Sequence, residues 1–204
     1  MSRLLRISLG LIAATTFVWL NAQAEQRPVG IGNSKQMEVV ITTADGPVVV
    51  KRIQDNDAKI SGGYAKIARP CPPFCVQPIQ AAEGVKTVGE LELLDFISSK
   101  KGLLIDARTE DWHLRETIPG SINIPYTLLA SQLDELGCKK SAKKWNCSNA
   151  KDVALYCNGM WCGQSPIGIR AMLREGYPAD KILYYRGGMQ SWKMLGLTTV
   201  EGSF

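Results

Sequence analysis

From Val85 to the C-terminus, short unbroken apolar runs alternate with segments whose apolar residues recur at helical spacing. Thr87-Val-Gly-Glu90 has the spacing of a capping box. Leu91, Leu94 and Ile97 form the stripe behind it, and Gly102 closes the predicted helix. Leu103 to Ala107 reads as a buried strand, Asp111–Arg115 as a brief helix, and Ile118 to Pro125 as a strand bounded by turns. The spacing then predicts a helix over Tyr126–Leu136 ended by Gly137, a strand at Val153–Tyr156 and a helix at Ser165–Glu175 closed by Gly176. A strand at Lys181–Tyr185 and a short helix at Gly188–Leu195 follow. Continuous apolar strands separated by helices predict a small doubly wound α/β domain over residues 84–204, a parallel sheet with helices on both faces.

Residues 25–83 follow a different rhythm. Met37–Thr43 and Val48–Ile53 flank Ala44-Asp-Gly-Pro47 and predict a β-hairpin around an Asp-Gly turn. Pro70, Pro72, Pro73 and Pro78 then make a stiff, irregular connector that carries Cys71 and Cys75. This hairpin and connector form an appendage ahead of the α/β domain.

The first 24 residues read as a secretory leader. Arg3 and Arg6 precede an apolar stretch from Leu9 to Leu20, and Ala22-Gln-Ala24 supplies a small-x-small cleavage pattern. Twelve residues are too few to span a bilayer, which needs about 20. Export is therefore expected, to the periplasm in a Gram-negative bacterium or otherwise to the exterior, with cleavage after Ala24 and no membrane span afterwards. Cleavage removes two of the 24 basic residues and none of the 19 acidic ones, so the formal charge falls from +5 to +3. That mild charge, without a basic cluster interleaved with aromatic residues, gives no support for nucleic-acid binding.

All six cysteines follow the leader, which suits an oxidising compartment. Proximity suggests the pairs 71–75, 138–147 and 157–162 among the 15 connectivities that six cysteines allow. The Cys138–Cys147 pair would restrain a lysine-rich loop. Cys71-x3-Cys75 is not a common zinc spacing and His113 is the only histidine, so no metal is expected. Cys71 and Cys75 read as a structural bridge or a site of thiol exchange with a partner protein, and His113 reads as a surface residue.

Cys157 stands where a buried strand ends and a glycine-bearing loop opens into a helix, the place where open α/β sheets bind ligands. Loop amides and the positive helix end favour a thiolate there. Cysteines so placed titrate at roughly 3.5–7.5 instead of about 8.5. The pattern predicts an accessible, ionised, nucleophilic Cys157; a buried apolar cysteine or half of a structural disulfide is the alternative at the same position.

Three motifs then stand in order. Leu104-Ile-Asp-Ala-Arg108, with Trp112 and Ile118-Pro-Gly-Ser-Ile-Asn-Ile-Pro125, resembles the opening signature of rhodanese-like domains. Tyr156-Cys157-Asn-Gly-Met-Trp-Cys-Gly-Gln-Ser165 resembles their active-site loop, and Arg186-Gly-Gly-Met-Gln-Ser-Trp192 their closing motif. The resemblance covers about residues 85–200 and implies sulfur transfer. Cys157 would take a sulfane sulfur from thiosulfate or a persulfide donor and pass it to cyanide or a thiol. The backbone of Asn158, Gly159, Met160, Trp161, Cys162 and Gly163 would cradle the persulfide, and no metal or organic cofactor is needed. Met160 and Trp161 occupy the middle of the loop, where many relatives carry a cationic or hydroxylic side chain. A thiosulfate anion would then lean on backbone donors, with Arg186 or Arg108 as nearby charges. Trp161 reads as loop packing and the Asp106/Arg108 pair as a structural tie. Phosphatase relatives need Cys-x5-Arg, and position 163 is glycine.

Cys162 has two readings: a structural disulfide partner, or a resolving thiol that attacks the inner sulfur of a Cys157 persulfide and expels hydrosulfide. Three function classes remain: an exported sulfurtransferase acting on a small sulfur anion or thiol, a thiol–disulfide oxidoreductase using Cys157/Cys162 with a relay through Cys71/Cys75, and a non-catalytic binding module that keeps the fold.

Overall fold

The computed structural model describes residues 27–32, 35–142 and 144–203, so the expected leader lies outside the described residues. β1 (Glu38–Thr43) and β2 (Gly46–Lys51) form the predicted antiparallel hairpin, with Thr43 opposite Gly46. Then come β3 (Lys86–Val88), α1 (Glu90–Ser98), β4 (Leu103–Asp106), α2 (Glu110–Arg115), β5 (Ser121–Asn123), β6 (Lys139–Lys140) and β7 (Trp145–Asn146). The chain ends with β8 (Val153–Tyr156), α3 (Gln164–Arg174), β9 (Ile182–Tyr185) and α4 (Gly188–Met194). A five-stranded parallel sheet runs in the order β3-β9-β8-β4-β5, which is the predicted doubly wound architecture.

The central strand β8 shows how the sheet divides the core. Val153 and Leu155 face one apolar cluster with Ile169 and Met172 of α3, and with Leu129, Leu133 and Leu136. Ala154 and Tyr156 face the other, with Leu93 and Ile97 of α1 and Met189 and Trp192 of α4. Ile41, Val50 and Tyr64 of the appendage belong to this second cluster. The Ile53 N–H donates to the Gly196 carbonyl at 2.8 Å, and Arg52 pairs with Leu197. Hairpin and α/β domain thus share this second cluster.

Some local expectations are corrected. Residues 126–137 form no helix, although Leu129, Leu133 and Leu136 are buried at helical spacing. Successive tight turns carry them inward instead, with N–H bonds from Leu128 to Pro125, Ser131 to Leu128 and Leu136 to Leu133. Helix α1 starts later than the capping-box pattern placed it. Thr87 lies in β3, and the Glu92 carboxylate accepts the Gly89 N–H at 3.1 Å. The lysine-rich loop is a minimal hairpin, β6–β7, clasped by the Cys138–Cys147 disulfide.

Candidate active site

β8 releases the chain at Cys157, which turns through residues 158–163 into α3. Two hydrogen bonds fix this loop against the start of α4: Met189 N–H to the Cys157 carbonyl and Gln190 N–H to the Asn158 carbonyl, both 3.0 Å. Gly188 permits the approach. Its φ is +55°, and a Cβ there would lie 2.3 Å from the Cys157 carbonyl oxygen. Only glycine meets both demands.

Cys157 and Cys162 are both free thiols, 2% and 5% exposed, so the expected 157–162 disulfide is absent, whereas 71–75 and 138–147 are formed. Cys157 Sγ donates to the Cys162 carbonyl at 3.2 Å and accepts the Ser165 hydroxyl at 3.1 Å. Cys162 Sγ lies 3.5 Å from Gln164 Oε1 and 4.0 Å from Asn158 Nδ2, and the backbone N–H groups of Asn158 and Gln164 also point at it.

The expectation of an accessible, ionised Cys157 is therefore corrected. Hydrogen bonding from the Cys157 thiol, aided by these amides, brings Cys162 down to about 7. Burial first, and then the neighbouring Cys162 sulfur, pushes Cys157 well above its ordinary value. The strand end sits deeper than the loop crest, and the backbone donors of Asn158 and Gln164 serve the second sulfur while Ser165 serves the first. The Cys162 N–H itself is taken by the Gly159 carbonyl at 2.9 Å and is not aimed at Cys157.

A buried polar network supports the loop from below. Arg108 is fully buried. Its Nε and Nη2 bind Asp106 at 2.8 and 2.5 Å, Nη2 also reaches the Glu116 carbonyl at 2.6 Å, and Nη1 donates to Tyr64 Oη at 3.1 Å. Tyr64 Oη in turn donates to Asn158 Oδ1 at 2.9 Å. Burial pushes Tyr64 up to about 12, so it remains a donor at neutral pH. Burial alone would raise the Asp106 carboxyl, but the bonds from Arg108 and His113 overcome it and hold Asp106 at about 2. Arg108 is thus unavailable to a substrate anion. His113, expected at the surface, is buried with Nδ1 3.1 Å from Asp106 Oδ2, because the tail around Gly202 and Ser203 closes over it.

The connector covers the loop from above. Gln77 N–H donates to the Met160 carbonyl at 2.8 Å, Phe74 meets the Trp161 ring edge-on at 5.4 Å, and the Arg69 guanidinium lies 3.7 Å from that ring's centre. Trp161 Nε1 donates to Gln190 Oε1 at 2.6 Å, and Gln190 Nε2 to the Tyr64 carbonyl at 3.0 Å. Arg186, expected as a charge for the substrate, binds the carbonyls of Gln77 and Pro78 at 2.8 to 3.2 Å and anchors the connector. Met160 is half exposed at the loop crest. Tyr64, Arg69, Gln77 and Gln190 also build the site, and no local pattern marks them in the sequence. Ser165 was legible as the helix start but not as a partner of Cys157. Among the described residues, no three or more His, Cys, Asp or Glu side chains group together to hold a metal ion. No helix there is long and apolar enough to cross a membrane.

Residues 90–195 match the sequence profile of the rhodanese-like domain. An HTH-type transcriptional regulator of Mycobacterium tuberculosis is 30% identical over 112 residues, 55% of this chain and 43% of that protein. An uncharacterized protein of Buchnera aphidicola is 24% identical over 114 residues, 56% of this chain and 69% of that one. Among solved structures, a thiosulfate sulfurtransferase from Pseudomonas aeruginosa superposes with TM-score 0.48 and 22% identity over 61% of this chain and 22% of that one. A human single-domain sulfurtransferase gives TM-score 0.40 and 20% identity over 53% and 96% of the two chains.

Proposed function

The chain belongs to the rhodanese-like family, and from that premise we propose that it is a sulfurtransferase in which Cys157 accepts a sulfane sulfur while Cys162 acts first as its base and then as its resolving thiol. The observation that carries this reading is the pair of free, buried thiols at the loop, with Cys157 Sγ bonded to the Cys162 carbonyl and to the Ser165 hydroxyl and with Cys162 lowered to about 7.

When a donor such as thiosulfate enters, the Cys157 proton passes to the Cys162 thiolate. The Cys157 thiolate attacks the outer sulfur, the donor S–S bond breaks, and sulfite leaves with the bonding pair. The persulfide anion now at Cys157 lies beside the Ser165 donors. An external thiolate then takes the outer sulfur and returns Cys157 to its thiolate. In the absence of an acceptor, deprotonated Cys162 attacks the inner sulfur, hydrosulfide departs, and a Cys157–Cys162 disulfide remains. The connector over Met160 and Trp161 makes donor entry a gated step, and the Arg69 guanidinium over the Trp161 ring is a cation at the loop.

Export to an oxidising compartment completes the reading. It is supported by the leader pattern of residues 1–24 and by the two formed disulfides. A mature chain beginning at Glu25 is the corresponding result. Function is tested by incubating the protein with thiosulfate and a small thiol: sulfite is released by the wild type and not by Cys157→Ala, and equal release from both contradicts the assignment.

A further inference from the structure

The proposed cycle leaves a disulfide at Cys157–Cys162, and both sulfurs lie under the connector, 2% and 5% exposed, where a protein reductant has no contact with them. The disulfide on the connector has the opposite character. Cys71 is exposed and Cys75 is half-buried against the loop. The residues around Cys75 are docked on the loop at Met160 and Trp161. Phe74 packs on Trp161 at 5.4 Å, and the Gln77 N–H is bonded to the Met160 carbonyl. The Gln77 side-chain amide donates to the Cys75 carbonyl at 2.8 Å, and its Nε2 lies 3.5 Å from the Cβ position of Gly163, the residue after Cys162. One side chain therefore links the Cys75 backbone to the neighbourhood of Gly163, the residue after Cys162, and Arg186 holds that segment in place.

We propose that Cys71–Cys75 is a second redox centre, the port through which a dithiol reductant reopens an oxidised Cys157–Cys162 pair. The inference rests on the resolving step above, which produces that pair. A reductant thiolate attacks Cys71 Sγ, breaks the 71–75 bond and frees the Cys75 thiolate. The reductant's second thiolate displaces Cys71 and leaves as its own disulfide, two electrons having passed to the connector. The Cys75 thiolate attacks Cys162 Sγ and expels the Cys157 thiolate, beside the Ser165 hydroxyl. Cys71 then attacks Cys75 Sγ, re-forms the 71–75 bond and releases the Cys162 thiolate. One reductant proton ends on Cys157 and the other in solvent. Cys162 is the sulfur attacked because it is the less buried of the two and precedes Gly163, which the Gln77 side chain approaches.

Two experiments on the full chain test the port. In Cys71→Ser/Cys157→Ser, diamide oxidation is expected to give an intrachain 75–162 crosslink by peptide mass mapping, at least tenfold more than the 71–162 crosslink in Cys75→Ser/Cys157→Ser. In the second, protein oxidised at 157–162 is reduced by thioredoxin with its reductase, and pair opening is followed by quenched alkylation. The wild type is expected to open at least tenfold faster than Cys71→Ser/Cys75→Ser, while dithiothreitol, small enough to enter directly, opens both. A variant that opens with thioredoxin as fast as the wild type, or faster, overturns the port alone. A wild type that forms no 157–162 disulfide overturns the port together with the resolving step, while sulfite release still reports independently on sulfur transfer.

Discussion

Tyr64 and Asn158 stand 94 positions apart, and the Tyr64 hydroxyl donates to Asn158 Oδ1 at 2.9 Å inside the core. Because Arg108 donates to the same hydroxyl, the bonds all run one way, from the guanidinium through Tyr64 to the Asn158 carbonyl oxygen. This fixes the Asn158 amide with its NH₂ toward Cys162 Sγ. Tyr64→Phe leaves Arg108 and Asn158 each short of a partner and is expected to cost about 1–3 kcal/mol in urea denaturation. It also slows Cys162 alkylation at pH 7 by about two- to threefold, as the thiolate loses an oriented donor. An unchanged alkylation rate in a folded variant contradicts the orienting role.

Ionisation of the cysteine pair sets a pH dependence. Cys162 is lowered to about 7 and Cys157 is raised, so raising pH through 7 creates a single thiolate, on Cys162. Alkylation by iodoacetamide is expected to rise with a midpoint near 7 and to label Cys162, with Cys157 lagging until well above its ordinary range. Peptide mapping across pH 5–10 reads this directly. In Cys162→Ser the midpoint moves up, because the remaining thiol is the buried one, and a persulfide on Cys157 survives several-fold longer without its resolving partner. Labelling of Cys157 first at neutral pH contradicts the assignment of base and acceptor.

Asp106 is the keystone of the buried network, bound by Arg108, His113 and Thr117. Its carboxyl lies at about 2 in the folded chain against 3.8 unfolded. For an acid with a depressed folded value, the stabilisation is complete above the unfolded value and disappears as pH falls through the folded one. About 2 kcal/mol is therefore lost between pH 4 and pH 2. Asp106→Asn at pH 7 is expected to cost about 3–5 kcal/mol, since it leaves the Arg108 charge buried without its carboxylate. Urea denaturation of the two proteins at pH 7 checks this, and a difference below 1 kcal/mol contradicts the keystone role.

Gly188→Ala tests the seam between loop and α4. A methyl group there meets the Cys157 carbonyl at 2.3 Å on a backbone of φ +55°. The variant is expected to lose at least 2 kcal/mol of stability and most of its sulfite release. Gly176→Ala, at φ +92° but with nothing within 4 Å, is the control that carries the backbone strain without the collision.

The parts of the fold set by local pattern were legible in the sequence. β8 is an apolar run that ends on Cys157, and the glycines at 187 and 188 mark the close approach of α4. Features decided by distant contacts were not. Leu129, Leu133 and Leu136 keep helical spacing although successive turns, not a helix, carry them into the core. His113 looks like a surface residue until the tail around Ser203 covers it. Which of two nearby sulfurs ionises depends on burial and on where the amides of Asn158 and Gln164 point, which spacing does not encode. The connector read as irregular because prolines forbid a helix there, and its docking on the loop depends on Gln77 meeting Arg186 and Met160 across the fold.

The central claim is that sulfur is carried on Cys157. Intact-mass measurement of the full chain, the Cys157→Ser variant and the Cys162→Ser variant after brief thiosulfate treatment tests it most directly. The account predicts a gain of one sulfur atom in the wild type, a longer-lived gain in Cys162→Ser and no gain in Cys157→Ser. A one-sulfur gain in Cys157→Ser, or none in any of the three, contradicts it.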